Sequence, residues 1–289
     1  MTIATIDIGG TGIKFASLTP DGKILDKAST PTPKTLEDLL AWLDQRLSER
    51  DYRGIAMSVP GAVNQETGMI EGISAIPYIH GFSWYEVLAH HQLPIHLEND
   101  ANCVGLSELL AHPEIENAAC VVIGTGIGGA MIINGKLHRG RHGLGGEFGY
   151  MTTIEPAEKL NNWSLLASTG NMVRYVIEKS GRSDWDGRKV YQEAAAGNAL
   201  CQEAIERMNR NLAQGLLNIQ YLIDPDVISL GGSISQNPDF IKGVQKAVDT
   251  FVEKYEEYTI APVIQACTYH ADANLYGALV NWLQEENQW

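Results

Sequence analysis

One pattern occurs twice in this chain, and it restricts the fold more than any other feature. An apolar strand over residues 2–8 leads into Gly9-Gly10-Thr11-Gly12, a second strand and an Asp-Gly turn. An apolar strand over residues 118–123 leads into Gly124-Thr125-Gly126, a second strand and an Asn-Gly turn. Each copy is typical of a β-hairpin. We interpret the pair as an internal duplication with a period too long for a solenoid; two unrelated glycine-rich hairpins are the alternative.

Composition excludes several classes of protein. The chain has 289 residues, of which 44% are hydrophobic and 19% charged, as in a soluble globular protein of one large or two ordinary domains. Its net charge of -14 argues against a nucleic-acid partner, but backbone N–H groups can still bind small phosphates. No apolar run is long enough to span a membrane. The cysteines are scattered, which favours reduced thiols in a cytoplasmic protein.

Hydrophobic periodicity predicts an α/β protein whose second half is mostly helical. We expect a domain over residues 1–105, joined by the last helix (272–289), and a larger domain over residues 106–271. The segments with helical spacing are 35–47, 101–110, 163–179, 187–195, 199–223, 238–254 and 273–283.

Asp100 lies where a predicted strand (93–97) ends and a helix begins. A carboxylate at this position can simply cap the helix. Its location in the sequence between the two glycine-rich loops suggests another role, because a phosphoryl-transfer enzyme needs a base near its phosphate-binding loops. Asp100 is therefore our candidate catalytic base.

The glycine-rich loops are candidate phosphate cradles. Gly124, Gly126 and Gly129 match GxGxxG, but a dinucleotide fingerprint continues into a helix, whereas a strand follows here. Backbone amides of such a loop can bind phosphate. Asp7, just before the first loop, would hold Mg²⁺, with a simple turn as the alternative.

Two further glycine motifs follow. Gly231-Gly232 follows an apolar strand, and two glycines there would let a nucleoside approach the backbone closely. A simple turn without a ligand is the alternative. Glu147, between glycines in Gly145-Gly146-Glu147-Phe148-Gly149, can accept hydrogen bonds from vicinal hydroxyls. The histidines show no metal-ligand spacing, and we interpret His90, His91 and His96 as structural.

Taken together, several motifs in this order resemble the ROK family of bacterial sugar kinases and repressors, and the resemblance covers almost the whole chain. It implies a two-domain actin-like (ribonuclease-H-like) ATPase fold with an ATP/sugar cleft between duplicated domains. The motifs are Asp7-Ile8-Gly9-Gly10-Thr11, Val59-Pro60-Gly61, Glu98-Asn99-Asp100-Ala101-Asn102, Gly124-Thr125-Gly126-Ile127-Gly128-Gly129, Gly146-Glu147-Phe148-Gly149 and Leu230-Gly231-Gly232-Ser233.

The resemblance also assigns roles to residues. Asp100 would be the base, and Asn99, Asp100, Glu147 and Gly61 would bind the sugar. ATP and Mg²⁺ are the implied cofactors, with Asp7 near the metal through water. The residues implied in ATP binding are Asp7, Gly9, Gly10, Thr11, Gly12, Gly124, Thr125, Gly126, Gly231 and Gly232.

Three positions depart from the family pattern. Tyr150 stands where many members have a histidine, and no cysteine lies between Tyr150 and Cys201, so we expect no zinc. Gly12 replaces a lysine of the first loop. Ser164 falls near the place of a second glutamate that contacts the sugar at its anomeric end, which would leave room for a substituent on O1.

These observations predict a kinase that phosphorylates the 6-hydroxyl of a glucose unit, most like a bacterial β-glucoside kinase acting on cellobiose or gentiobiose. N-acetylmannosamine kinase and glucokinase are alternatives within the family. A non-catalytic sugar sensor or repressor is the alternative of another class; it is disfavoured because the family's repressors carry an N-terminal DNA-binding segment that this sequence lacks. The family is often dimeric, and we expect a homodimer.

Overall fold

The computed structural model describes residues 2–153 and 161–289. Strands and helices alternate over the first half of the chain, and helices dominate the second, as the periodicity predicts. The strands of the described residues are β1 (Thr2–Ile8), β2 (Gly12–Leu18), β3 (Ile24–Pro31), β4 (Tyr52–Val59), β5 (Ala62–Asn64), β6 (Met69–Glu71), β7 (Ile95–Asn99), β8 (Ala118–Ile123), β9 (Ile127–Ile133), β10 (Lys136–Leu137), β11 (Thr152–Thr153), β12 (Asn161–Asn162), β13 (Val227–Gly231) and β14 (Ile264–Ala266).

The helices agree with the expected segments at most positions. Among the described residues they are α1 (Leu36–Leu47), α2 (Trp84–Val87), α3 (Asp100–Ala111), α4 (Trp163–Ala167), α5 (Thr169–Ser180), α6 (Gly187–Ala195), α7 (Ala199–Ile223), α8 (Pro238–Lys254) and α9 (Ala273–Glu285). Across residues 2–153 and 161–289, no helix combines the length and apolar character needed to cross a bilayer.

One expected helix is divided in two. The sequence predicts a continuous helix over residues 163–179, but α4 ends at Ala167 and α5 begins at Thr169. The backbone of Ser168 is extended, and its hydroxyl accepts a hydrogen bond from the N–H of Asn171. Helical spacing continues through this break, so the capping serine was the signal that periodicity alone overlooked.

Two compact units make up the fold. The first contains Met1–Glu114, Arg139–Gly145 and Ala271–Trp289, and the second contains Ile115–His138 and Gly146–His270. These limits differ in two places from the division expected at residue 105. All of α3 belongs to the first unit, because it packs along α9, and so does the short segment 139–145.

The first unit contains a five-stranded sheet in the order β3-β2-β1-β4-β7. β1 pairs antiparallel with β2 and parallel with β4, which in turn pairs parallel with β7. Asp7 lies opposite Ser58, and Val59 lies opposite Asn99. The carboxyl ends of these three parallel strands therefore bring Asp7 and Asn99 to one edge of the sheet.

The second unit repeats this sheet. Its order is β10-β9-β8-β13-β14, with β8 antiparallel to β9 and parallel to β13, and β13 parallel to β14. Strand order and direction match the first sheet position by position. The duplication predicted from the two hairpins is confirmed by this match, since chance similarity of two turns would not reproduce the parallel strands.

Helices cover both faces of the first sheet. Alternate residues of β1 point to opposite faces: Ile6 packs in the cluster that includes Leu39 and Leu43 of α1, whereas Ile3 packs with Leu279 of α9. The N–H of Asp38 donates to the hydroxyl of Thr35, which caps the start of α1. A sheet buried on both faces provides a rigid base for its carboxyl edge.

α3 and α9 approach very closely at Gly277. A Cβ atom at this position would lie 1.7 Å from the carbonyl oxygen of Cys103. Only glycine fits there, because the obstacle is the backbone of a neighbouring helix.

We expect Gly277→Ala to lower the free energy of unfolding by about 2 kcal/mol, because the methyl group must push two helices apart. The urea midpoint of unfolding measures this change. Gly243→Ala in α8 is a matched control: it gains the same helix propensity, but its methyl group meets the end of the Asn209 side chain, which borders a cavity. An equal loss of stability in both variants would contradict the explanation.

Candidate functional site

Asp100 is the first residue of α3 and directly follows β7. The side-chain oxygen of Asn99 caps the helix by accepting hydrogen bonds from the N–H groups of Ala101 (2.9 Å) and Asn102 (3.1 Å). Asp100 therefore does not have to serve as the N-cap, which was the simpler interpretation of its position. Its Oδ1 accepts from the N–H of Ala101 at 2.8 Å, and the side chain of Asn99 also stabilises the charged carboxylate.

Burial raises the pKa of Asp100 above its ordinary value, and the negative charge of Asp7 raises it further; the hydrogen bond from Ala101 acts in the opposite direction. Desolvation disfavours a lone carboxylate, so the group binds a proton more strongly than an exposed aspartate does. A carboxylate with a raised pKa is a stronger base, as general-base chemistry near neutral pH requires.

Gly61 and Asn99 lie together beside this carboxylate. The amide nitrogen of Asn99 donates to the carbonyl oxygen of Gly61 at 3.1 Å, and its second N–H remains to donate to a ligand. Gly61 has a φ of 106°, and a Cβ there would lie 2.8 Å from the carbonyl oxygen of Glu71. The structure thus brings Gly61, Asn99 and Asp100, three of the predicted sugar-binding residues, to one place.

Asp7 is buried and forms an ion pair with Lys14, with 3.0 Å between Oδ2 and Nζ. Its Oδ1 accepts from the amide of Asn274, which also donates to the hydroxyl of Ser58. Sequence analysis missed Lys14 and Asn274. Lys14 could have been found by counting outward from the predicted hairpin turn, because it pairs with Asp7 across β1 and β2. Asn274 comes from the last helix, and no local signal indicated it.

The first glycine loop is a tight turn between β1 and β2. The N–H of Gly9 donates to the carbonyl of Gly12 at 3.1 Å, and the hydroxyl of Thr32 donates to the carbonyl of Gly9. Gly10 and Thr11 are exposed at the tip of this turn. Small residues at an exposed tip leave the backbone accessible to a ligand.

In the second unit, the loop Gly124-Thr125-Gly126 packs against the N-terminus of α5. The N–H of Gly170 donates to the carbonyl of Gly124 at 3.1 Å, and a Cβ at Gly170 would lie 2.5 Å from the carbonyl oxygen of Thr125. All three loop residues are exposed. A glycine loop beside a helix N-terminus is an arrangement that binds anions. The contribution of α5 was not predicted.

Gly232 brings a second turn to the same loop. It has a φ of 89°, and a Cβ there would lie 2.1 Å from the carbonyl oxygen of Ile123, the residue before Gly124. Gly231 and Gly232 therefore contact the strand that leads into the second glycine loop. The family resemblance implied ATP binding both for Gly231 and Gly232 and for the second glycine loop, and the structure brings these segments together.

A cavity of about 610 Å³ lies beside this turn, with Ser233 and Asn237 on one side and Thr169, Arg188 and Tyr191 on the other. The hydroxyl oxygens of Thr169 and Tyr191 are buried and have no hydrogen-bond partner among the described residues. Burial raises the pKa of Tyr191, so its hydroxyl stays protonated. Buried polar atoms without partners are costly and mark a cavity suited to a polar ligand. Sequence analysis found none of these residues.

Glu147 lies at the start of a short 3₁₀ turn (Phe148–Tyr150) that packs on β9. A Cβ at Gly146 would lie 2.8 Å from the Cα of Ala130, so glycine lets the segment reach this strand. Ser164 contacts the same turn: a Cβ at Gly149 would lie 2.3 Å from its hydroxyl oxygen. That hydroxyl accepts a hydrogen bond from the N–H of Ile127. Ser164, the position at which the family resemblance implies a second sugar-binding glutamate, thus lies near Glu147.

The structure also gathers Asp44, His90 and His91, whose potential ligand atoms lie within 4.8 Å of one another. Both imidazoles contact the same oxygen of Asp44, at 3.1 and 2.8 Å. Sequence spacing did not reveal this cluster, because Asp44 comes from α1. The hydrogen bonds to Asp44 agree with a structural role for both histidines.

The chain matches the ROK family over residues 3–285. It is 35% identical to a β-glucoside kinase of Listeria monocytogenes, and the match covers 100% of this chain and 99% of that protein. The chain belongs to the ROK family. It is an ATP-dependent carbohydrate kinase with an actin-like ATPase fold, and ROK membership was predicted correctly from the motifs.

Two solved structures of related proteins are also similar to this chain in sequence and in fold. A ROK family protein from Streptococcus pneumoniae TIGR4, determined in complex with sucrose, is 88% identical with a TM-score of 0.98, and the match covers 100% of both chains. Lmo2764 of Listeria monocytogenes, described as a putative N-acetylmannosamine kinase, is 33% identical with a TM-score of 0.88; the match covers 99% of this chain and 100% of that one.

The raised pKa of Asp100 predicts a stability effect in this ROK kinase. Because the folded-state pKa exceeds the unfolded one, the ionised carboxylate opposes folding above the folded pKa, and this cost disappears as pH falls towards the ordinary aspartate value of about 3.9. We therefore expect Asp100→Asn to raise the free energy of unfolding at pH 7, with the gain vanishing in acid. Urea unfolding at several pH values measures it.

Asp184→Asn provides the control. The pKa of Asp184 is lowered by its hydrogen bonds with Arg182 and Lys189. Replacing its charged carboxylate by a neutral amide should therefore not raise the free energy of unfolding at pH 7. A gain at Asp184, or a loss at Asp100, would show that the environment of Asp100 has been misjudged.

Proposed function

We propose that this kinase transfers the γ-phosphoryl group of ATP to the 6-hydroxyl of the glucose unit of a β-glucoside such as cellobiose or gentiobiose. The observation that carries the proposal is the environment of Asp100. This buried carboxylate has a raised pKa, and it lies beside Asn99 and Gly61 at the carboxyl edge of the first sheet.

In the proposed reaction, Asp100 accepts the proton of the 6-hydroxyl as its oxygen attacks the γ-phosphorus. Asn99, Gly61 and Glu147 hold the sugar hydroxyls and align the attacking oxygen. Phosphoryl transfer depends mainly on such positioning and on electrostatic stabilisation. Because the side chain of Asn99 caps α3, the Asp100 carboxylate is not required as the N-cap and can serve the substrate.

The phosphates are assigned to the two glycine loops. The exposed turn Gly9-Gly10-Thr11-Gly12 and the loop Gly124-Thr125-Gly126 present backbone groups, and the N-terminus of α5 adds a partial positive charge. The nucleoside is assigned to the cavity beside Gly231 and Gly232. The buried hydroxyls of Thr169 and Tyr191 would gain the hydrogen bonds that they lack in the protein alone.

Mg²⁺ bound to the ATP phosphates would neutralise charge on the transferring group. The donor set fits an indirect contact only. Both oxygens of Asp7 already accept hydrogen bonds, from Lys14 and Asn274, so Asp7 is suited to hold a water of the hydrated ion rather than the ion itself. Mg²⁺ typically retains several waters in such sites.

The choice of a β-glucoside is supported by one relative and one residue. A Listeria monocytogenes relative that matches over the full length is named a β-glucoside kinase. Ser164 has a shorter side chain than the glutamate that the family resemblance implies at this position, and we infer from this that an O1 substituent can be accommodated. The Streptococcus pneumoniae protein, which is 88% identical, was determined in complex with sucrose; this supports an acceptor with two sugar rings, although the glucose unit of sucrose is α-linked. The description of Lmo2764 favours N-acetylmannosamine as the second candidate acceptor.

We expect Asp100→Asn to lower kcat by a factor of about 10² to 10⁴, the usual contribution of a general base, with little change in the affinity for a non-hydrolysable ATP analogue. ADP release measures turnover with cellobiose, gentiobiose, glucose and N-acetylmannosamine. Turnover within a few-fold of wild type would refute the role of Asp100. A clear preference for N-acetylmannosamine or free glucose would refute the proposed substrate and leave the mechanism intact.

Tyr191→Phe tests the nucleoside cavity. If the hydroxyl pairs with the nucleotide, its removal should cost about 1 kcal/mol of binding, or roughly a fivefold weaker Kd for the ATP analogue. The protein alone should not be destabilised, because the hydroxyl has no partner there. Calorimetry and urea unfolding measure both quantities. Tyr175→Phe is the control, since that hydroxyl donates to Glu203 on the surface; unchanged nucleotide affinity in Tyr191→Phe would contradict the assignment.

A further inference from the structure

The cluster of Asp44, His90 and His91 lies in the first unit, and its residues belong to none of the sites proposed for the sugar, the phosphates or the nucleoside. Asp44 belongs to α1, and the two histidines end a short 3₁₀ turn (Ala89–His91) that follows α2. One nitrogen of each imidazole and one carboxylate oxygen lie within 4.8 Å of one another. Three protein ligands with a fourth position open to water are a common arrangement around zinc.

The contact of His90 with the backbone fixes the tautomer of its neutral ring. Its Nδ1 lies 3.1 Å from the carbonyl oxygen of Val87. A carbonyl oxygen only accepts, so Nδ1 carries the hydrogen. A neutral imidazole has a single N–H, and its Nε2 therefore presents a lone pair to Asp44 Oδ1, 3.1 Å away. Two acceptors at this distance repel each other unless a positive charge lies on the ring or between them.

A second proton on His90 and a bound cation are the two possible sources of this charge. The Nε2 of His91 lies 2.8 Å from the same oxygen of Asp44, and the centroids of the two rings are 4.1 Å apart. Two protonated rings at this separation would repel each other. One divalent ion would instead attract the carboxylate and both neutral rings. A proton on His90 alone, with His91 donating to Asp44, is the metal-free alternative.

The distances within the cluster are close to those around a tetrahedral zinc ion. Zinc binds imidazole nitrogen and carboxylate oxygen at about 2.0–2.1 Å, which places neighbouring ligand atoms roughly 3.3 Å apart. The two nitrogen–oxygen distances, 3.1 and 2.8 Å, therefore need to lengthen only slightly. The side chain of His90 is 56% exposed, so its ring has room to adjust and water can reach the fourth position.

The hydrogen bond from His90 to Val87 is also the support that a metal-binding histidine usually has. In known sites the ring nitrogen that does not bind the metal donates to a carboxylate or a backbone carbonyl, which orients the ring. Imidazole ligands favour transition metals such as zinc, whereas Mg²⁺ prefers oxygen ligands and retains its waters. The Mg²⁺ that accompanies ATP would therefore not compete for this cluster.

We propose that Asp44, His90 and His91 form a Zn²⁺ site, with one carboxylate oxygen, the Nε2 atoms of both histidines and a water as ligands. The site is distinct from the one that Tyr150 argues against, because its ligands come from α1 and from the turn after α2. Bound zinc would fasten α1 to the segment that leads into β7. It would stabilise the first unit by binding the folded state and would take no part in phosphoryl transfer.

Calorimetric titration of Zn²⁺ into the EDTA-treated protein tests the site, and we expect one equivalent to bind. His91→Gln and Asp44→Asn should each raise the Kd about a hundredfold, because loss of even an outer partner of a ligand typically costs a factor of 10 to 100. The amide of Asp44→Asn can still accept hydrogen bonds from imidazole but carries no charge. His112→Ala is the matched control, since this histidine of the first unit contacts a carboxylate of Glu114, and its Kd should equal that of the wild type.

Urea unfolding with and without Zn²⁺ provides a second measurement. Zinc should raise the midpoint of the wild type and of His112→Ala, but not that of His90→Gln, whose exposed side chain is not needed for folding. Absence of binding to the wild type, or binding that survives in all three cluster variants, would overturn the site and leave a protonated histidine on Asp44 as the explanation of the contacts. Neither assay measures sugar turnover, so the result is independent of the proposed substrate.

Discussion

The buried carboxylate of Glu98 stabilises the junction between β7 and α3 in the first unit, where the proposed base lies. Only 2% exposed, it accepts hydrogen bonds from Arg139, from the side chain of Asn102 and from the N–H of Asn99. Removing one partner of such a buried ion pair typically costs about 3–5 kcal/mol. Glu98 immediately precedes Asn99 and Asp100, so the same network that satisfies a buried charge also fixes the end of β7, the cap of α3 and the direction of the proposed base.

The duplicated sheet shows how two copies of one framework acquired different chemistry. Gly9 and Gly124 occupy equivalent places after the first strand of each sheet, but two residues earlier the first copy has Asp7 and the second has Val122. The acidic position is balanced by Lys14 from the neighbouring strand. The second loop has no charge to balance and instead packs on the N-terminus of α5. In the proposed function, both loops bind phosphate, and only the first copy has a carboxylate that can also hold a water of the hydrated cation.

Sequence analysis predicted the features that depend on local chemistry. α6, α7 and α8 begin and end where their periodicity indicates, and the two hairpins implied the repeated sheet. What it missed depends on contacts between distant segments. Asn274 reaches Asp7 from the other end of the chain, and Arg139 reaches Glu98 across 41 residues. The division of the helix at Ser168 is an intermediate case, since a capping serine was visible but helical spacing continued through it. The hairpin of β5 and β6 is too short for alternation to predict.

The acidity of the chain, -14 overall, is compatible with a nucleotide substrate because the proposed phosphate contacts rely little on side-chain charge. Lys14 is neutralised by Asp7, so the attraction must come from oriented backbone dipoles at the glycine loops and from the partial charge at the start of α5. Such dipoles act over a few ångströms and only in one geometry. We therefore expect close packing at Gly170 and Gly232 to affect the proposed phosphate binding as well as folding, because it sets the position of the loop Gly124-Thr125-Gly126.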